Sequence, residues 1–98
     1  MLADMKTKVE ASRLLTWKSA IEFDNGVTNT ESAAHAKRFA ADSCMEVTTD
    51  AVQVFGGYGY SEEYPVARLM RAAKVMQIYE GSSQVQRMII GREITKNL

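Results

Sequence analysis

A single proline, Pro65, stands among the 98 residues of this chain. Proline removes a backbone donor and breaks helix interiors, so its near absence leaves long uninterrupted helices open. Six methionines point the same way, because flexible thioethers fill the irregular gaps between helices. The apolar spacing agrees with both. Leu2, Met5 and Val9, then Leu14, Trp17 and Ile21, recur at helical intervals, which predicts a first helix over Leu2–Phe23 closed by Asp24-Asn25-Gly26.

Thr28 with Glu31 three residues on has the spacing of a capping box and predicts the start of a second helix. Its inner stripe reads Ala36, Ala40, Cys44, Val47, Ala51 and Val54, mostly small side chains that let a neighbour approach closely. Three glycines within Gly56-Gly57-Tyr58-Gly59 stop it, since glycine loses the most backbone freedom in a helix. Pro65 suits the first turn of a third helix, with Val66, Leu69, Met70 and Ala73 inward and an end near Val75. Gln77 to Gly81 is then a loop. Ser82 or Ser83 caps a last helix running to about Lys96, with Val85, Met88 and Ile89 inward. No segment alternates apolar and polar residues long enough for a strand. The expected fold is all-α, an antiparallel bundle of three to four helices forming one domain over residues 1–98.

Composition narrows the function classes. Twelve basic and twelve acidic residues cancel, so no net field attracts nucleic acid or an anionic membrane. No apolar run spans a bilayer, and Met1 to Lys8 has no signal-peptide pattern. Cys44 alone forms no internal disulfide, and with His35 the only histidine a zinc cluster is not expected. A reducing, cytoplasmic setting fits.

Two loops can hold chemistry. Gln53 to Tyr60 carries a glycine cluster that lets backbone N–H groups approach an anionic ligand, although the same cluster also serves as a plain helix stop. Gln77 to Gln84 carries Glu80 beside Gly81, just ahead of a helix N-terminus. A carboxylate there either complements the helix dipole or acts as a base that gains strength once a ligand expels water. Periodicity does not separate these readings. Cys44, Trp17 and Phe39 read as core, His35 as a surface residue, and Arg68 and Arg71 as ion-pair partners of Glu62 and Glu63.

The runs A-V-Q-V-F-G-G-Y-G-Y, E-Y-P-V-A-R-L-M-R-A-A-K and Q-I-Y-E-G-S-S-Q-V-Q-R, between Ala51 and Arg87, resemble the C-terminal signature of acyl-CoA dehydrogenases. Leu2 to Asp50 resembles that family's preceding helices. The resemblance implies oxidation of an acyl-CoA thioester to its trans-2-enoyl product with FAD, Glu80 taking the α-proton while the β-hydrogen leaves as hydride. It places Gln53, Val54, Phe55, Gly56 and Gly57 on a loop reaching FAD held mainly by a neighbouring subunit, and Ser82 and Gln84 against FAD near the base. Gly81 would let the chain turn closely past the substrate. It further implies a homotetramer, an electron-transfer flavoprotein as acceptor, and a mitochondrial-matrix location in a eukaryote. Glutamate at 80 favours short-, medium- or short-branched-chain substrates. Ala72 stands where the family usually has aspartate, so a polar contact is expected to be missing. Family members are several times longer, so this chain is expected to be incomplete at its N-terminal side, inactive alone and prone to self-association. The carboxylate is also expected to face the loop that follows the second helix.

Overall fold

In a computed structural model of the protein, which describes residues 1–96, five helices follow one another: α1 Leu2–Asp24, α2 Thr30–Phe55, α3 Gly57–Tyr60, α4 Pro65–Met76 and α5 Ser83–Thr95. There is no strand among the described residues, as the sequence predicts. None of these helices is long and apolar enough to cross a membrane.

α2 is the axis of the molecule. At 26 residues it spans about 39 Å, and α1, α3, α4 and α5 each pack on it. α1 lies antiparallel: the Asn29 amide donates to the Ser19 carbonyl at 3.2 Å, the Ser32 hydroxyl to the Glu22 carboxylate at 2.9 Å, and Lys8 pairs with Glu46. The reversal between them uses Gly26 at φ +69°. α4 also runs antiparallel to α2. Its entry brings Tyr64 within 6.3 Å of the Phe55 ring, and its far end brings the Met76 carbonyl to Lys37.

The interior is built from small residues. Ala34, Ala36 and Ala41 of α2 and Ala67 and Ala73 of α4 form the buried apolar set, and no large side chain is fully buried among the described residues. Close approach of helix backbones, rather than interlocking large side chains, therefore sets the spacing. Several predicted inward residues are exposed for this reason. Leu2, Leu14, Trp17 and Ile21 lie on a face of α1 that has no neighbour among the described residues, and α1 buries none of its residues. Leu69, Val85 and Met88 are exposed as well, while Ala67, Ser83 and Gln86 take the inward places.

One helix start differs from expectation and another is decided between two candidates. α2 begins at Thr30 with Asn29 as its N-cap, and no side chain caps it. The Asn29 amide is used across the hairpin to Ser19, and the Glu31 carboxylate sits 3.4 Å from His35, so the Thr28–Glu31 box does not form. At α5 the cap is Ser82, whose hydroxyl accepts from the Val85 N–H at 3.2 Å. The glycine cluster ends α2 as predicted but then coils into α3. Gly56 takes φ +65° and ψ −144°, a conformation close to the region reserved for glycine. Gly59 is buried against α2, where a Cβ would sit 2.5 Å from the Val52 carbonyl oxygen and 2.7 Å from the Phe55 Cβ. Gly59→Ala is therefore expected to lower unfolding free energy by about 1–3 kcal/mol, measured by denaturant titration, because backbone and a helical Cβ must both give way.

Candidate active site

Helix α4 ends in a tightening turn, in which the Gln77 N–H donates to the Lys74 carbonyl and the Tyr79 N–H to the Val75 carbonyl, both at 3.1 Å. The chain then reverses through two successive left-handed residues, Glu80 at φ +56° and Gly81 at φ +84°. Ser83 N–H closes the loop onto the Gln77 carbonyl at 3.0 Å, and α5 begins. Glycine adopts such a backbone freely. Glutamate does not, at a cost of about 1–2 kcal/mol. Glu80 is the one non-glycine residue with positive φ among the described residues.

Strain of this kind persists only where surrounding contacts over-determine it, and two charged residues of α2 supply them. The Lys37 ammonium donates to the Met76 carbonyl at 2.5 Å and to the Gly81 carbonyl at 3.4 Å, and stands 6.0 Å from the Tyr79 ring centre. The Asp42 carboxylate accepts from Gln77 at 2.8 Å, Ser83 at 2.7 Å and Arg87 at 2.8 Å. Gln86, buried, adds a bond from its amide to the Gly81 carbonyl at 3.3 Å. A Cβ at Gly81 would meet that amide nitrogen at 2.5 Å. Burial works against the charge on Asp42. The bonds from Ser83 and Gln77 and the charges of Arg87 and Arg38 outweigh it and hold the carboxyl below the usual aspartate range. A lowered folded value means that the stabilisation is present above the unfolded carboxylate range and is lost as pH falls through the folded value.

At the tip of this clamped loop Glu80 is exposed, and its carboxylate has neither hydrogen bond nor ion pair among the described residues. Its N–H and those of Gly81 and Ser82 also find no acceptor there. The site thus presents one free carboxylate beside a short row of free amide donors, a pairing suited to removing a proton next to a carbonyl whose oxygen must be stabilised. Gln84 is exposed on the first turn of α5 and, with Asp42, Ser83 and Arg87, lines a groove of about 570 Å³.

The other predicted loop is not brought to this one. Gln53, Val54, Phe55, Gly56 and Gly57 are all exposed at the opposite end of α2. Gln53 lies sixteen residues beyond Lys37, about 24 Å along the helix. Within one chain, Glu80 therefore does not face the loop that follows α2, contrary to the expectation from sequence, because the length of α2 separates them. Ala72 is exposed and makes no polar side-chain contact. Cys44 is half-buried rather than buried, and Trp17 is 57% exposed rather than core. The ion pair expected near α4 forms between Arg71 and Glu62 at 3.6 Å.

Lys37 and Asp42 were not singled out by sequence. Their partners lie 35 to 45 positions downstream, beyond any local pattern. The available signal was a carboxylate set among the small residues Ala40, Ala41, Ser43 and Cys44.

Comparison with known proteins bears directly on this loop. Residues 1–95 match the family described as acyl-CoA dehydrogenase, C-terminal domain. Cyclohexane-1-carbonyl-CoA dehydrogenase of Geobacter metallireducens is 52% identical over 96 residues, covering 98% of this chain and 25% of that protein. Butyryl-CoA dehydrogenase from Megasphaera elsdenii superposes with a TM-score of 0.94 at 57% identity, over 96% of this chain and 24% of that one. A chain in the structural study of the electron transferring flavoprotein of Acidaminococcus fermentans, directed at flavin-based electron bifurcation, superposes at 0.97 with 52% identity, over 99% of this chain and 26% of that one. The chain spans about a quarter of the length of the curated relatives it matches. With its helices, its loop sequence and nearly its full length accounted for, the chain belongs to the acyl-CoA dehydrogenase family, as the C-terminal helical domain.

Proposed function

We propose that these residues form the base-bearing part of an FAD-dependent acyl-CoA dehydrogenase, with Glu80 removing the α-proton of an acyl-CoA thioester. The observation that carries this reading is the free, left-handed Glu80 at the tip of a loop clamped from α2. A residue kept in a costly conformation without a partner for its own side chain is better explained by a ligand than by the fold.

The chemistry balances simply. The Glu80 carboxylate takes the α-proton, the β-hydrogen leaves with its electron pair, and the trans-2-enoyl thioester remains. FAD, when bound, would accept that hydride. Charge developing on the thioester oxygen would be met by the free Glu80 N–H, and Gly81, lacking a side chain, leaves room for substrate. Ser82 and Gln84 beside the base, and Gln53 to Gly57 at the far end of α2, are the residues that would contact FAD. All but the half-buried Ser82 are exposed and available. Their separation along α2 agrees with the two sets serving flavins of different copies in a homo-oligomeric enzyme. The names of the relatives favour short-chain or alicyclic acyl-CoA substrates and an electron-transfer flavoprotein as acceptor. The test is bleaching of the flavin absorbance by butyryl-CoA in the full-length protein carrying this segment. No bleaching with butyryl-CoA or with cyclohexane-1-carbonyl-CoA would refute the assignment.

A second reading, a non-catalytic helical module that self-associates, is favoured by one observation. Leu14, Trp17, Ile21 and Phe23 of α1 are each more than half exposed, beside an apolar groove of about 720 Å³ between α1 and α2. Exposed apolar area of this kind marks an interaction surface. The 98-residue chain is expected to shift to larger species with rising concentration in sedimentation velocity. A strictly monomeric chain at high concentration would remove the second reading.

A further inference from the structure

We infer that Asp42 is a positioning residue for the Glu80 loop, an inference that rests on Glu80 being the base. Its carboxylate side chain is only 19% exposed and reaches both feet of the loop at once. One oxygen accepts from Gln77, the first residue after α4, at 2.8 Å and from Ser83, the first residue of α5, at 2.7 Å. These are the same two residues joined by the backbone bond that closes the loop. The second oxygen accepts from Arg87 at 2.8 Å, one turn further along α5, with the Arg38 Nε at 3.8 Å. A single anion on α2 thus sets the chord across which Glu80 and Gly81 must arch.

The charge matters as well as the shape. Three donors and the nearby Arg38 charge converge on two oxygens, and an ionised carboxylate is the side chain of this size that accepts from all three while facing that charge. An asparagine offers one oxygen. If that oxygen keeps Gln77 and Ser83, its NH₂ faces the Arg87 guanidinium, donor against donor. If it turns to Arg87, the loop loses both feet. Lys37 cannot substitute, because it grips only the carbonyls of Met76 and Gly81. With both α2 residues in place, the groups of the loop tip left outward are the Glu80 carboxylate and its free amide neighbours. A base displaced by about 1 Å from its target can lose about 10²-fold in rate, so this clamp acts on turnover without touching substrate.

The test compares Asp42→Asn with wild type in the full-length, flavin-loaded enzyme, with Ser83→Ala as a milder variant that removes one of the bonds. The expected result for Asp42→Asn is a fall in kcat of about ten- to hundredfold, with KM for butyryl-CoA and bound flavin nearly unchanged. Amide exchange should accelerate at residues 78–83 and not along α1. Ser83→Ala should fall by less, and the double variant by less than the product of the two, since both cut the same connection. Unchanged kcat in Asp42→Asn beside an inactive Glu80→Gln would overturn the positioning role alone. Full turnover in Glu80→Gln would overturn the base assignment and this role with it. Loss of activity that simply tracks loss of flavin, with exchange faster throughout, would reduce Asp42 to a structural residue and overturn the inference.

Discussion

Glu80→Gln in the full-length enzyme is expected to slow flavin reduction by acyl-CoA by about 10²–10⁴-fold, the range a positioned general base contributes. The substitution keeps the shape of the side chain and removes its ability to accept a proton as a base. The carboxylate has no hydrogen bond or ion pair among the described residues, so no structural contact is lost with it. Stability should therefore move by no more than about 0.5 kcal/mol, and flavin content should not fall. That combination, catalysis gone and structure intact, separates a base from a residue that merely complements the dipole of α5. Dipole interactions at such a position are worth about 0.3–1 kcal/mol, so a dipole role predicts a small stability change and unaltered turnover. Stopped-flow flavin bleaching together with thermal unfolding decides between them, and turnover at the wild-type rate would end the assignment.

The 98-residue chain by itself is expected to retain essentially no FAD. Pockets that hold a cofactor enclose about 70–90% of its surface, and this chain offers exposed strips instead. Gln53 to Gly57 lie on the open end of α2, with Phe55 47% exposed, and Gln84 lies exposed beside the middle of α2, on the groove it shares with Asp42. About 16 Å of helix, from Asp42 to Gln53, separates the two strips, and the described residues provide no wall that closes over both. The flavin absorbance of the purified, dialysed chain should be at background, while the full-length protein should be loaded. A stoichiometric flavin on the isolated chain would show that these helices enclose more than their arrangement suggests.

What could be read from sequence followed the range of each interaction. Helix identity is local. The single Pro65 marks the first residue of α4, Gly56 ends α2, and α4 closes at Met76, one residue past the predicted end. Ser82 caps α5 because a hydroxyl at that spacing finds a free N–H. Failures came where a side chain had two uses. Asn29 and Glu31 bond across the hairpin and along the helix, and the Thr28 box gives way. Ser83, the other candidate cap, is drawn to Asp42. Apolar spacing located the faces of α1 but not their burial, since burial requires a neighbour and, among the described residues, α2 is the helix that α1 packs on.

The candidate site divides along the same line. Tyr79, Glu80 and Gly81 were legible as a family signature, with the base identified by its immediate neighbours in the chain. The clamp that holds them was not, because Lys37 and Asp42 act across tens of residues and look in sequence like ordinary charges on a helix.

By itself, then, the sequence determined five local facts: where four helices run, where they stop, which loop carries the carboxylate, which glycines permit the turns, and which family the motifs match. Only the tertiary structure decided that Glu80 sits left-handed and without a partner among the described residues, that α2 grips both ends of its loop, and that the glycine-rich loop lies at the far end of the same helix. The physical reason is distance. Backbone propensity and capping act within one or two turns and leave their mark in neighbouring residues, whereas hydrogen bonds between helices depend on packing that brings remote positions to within 3 Å.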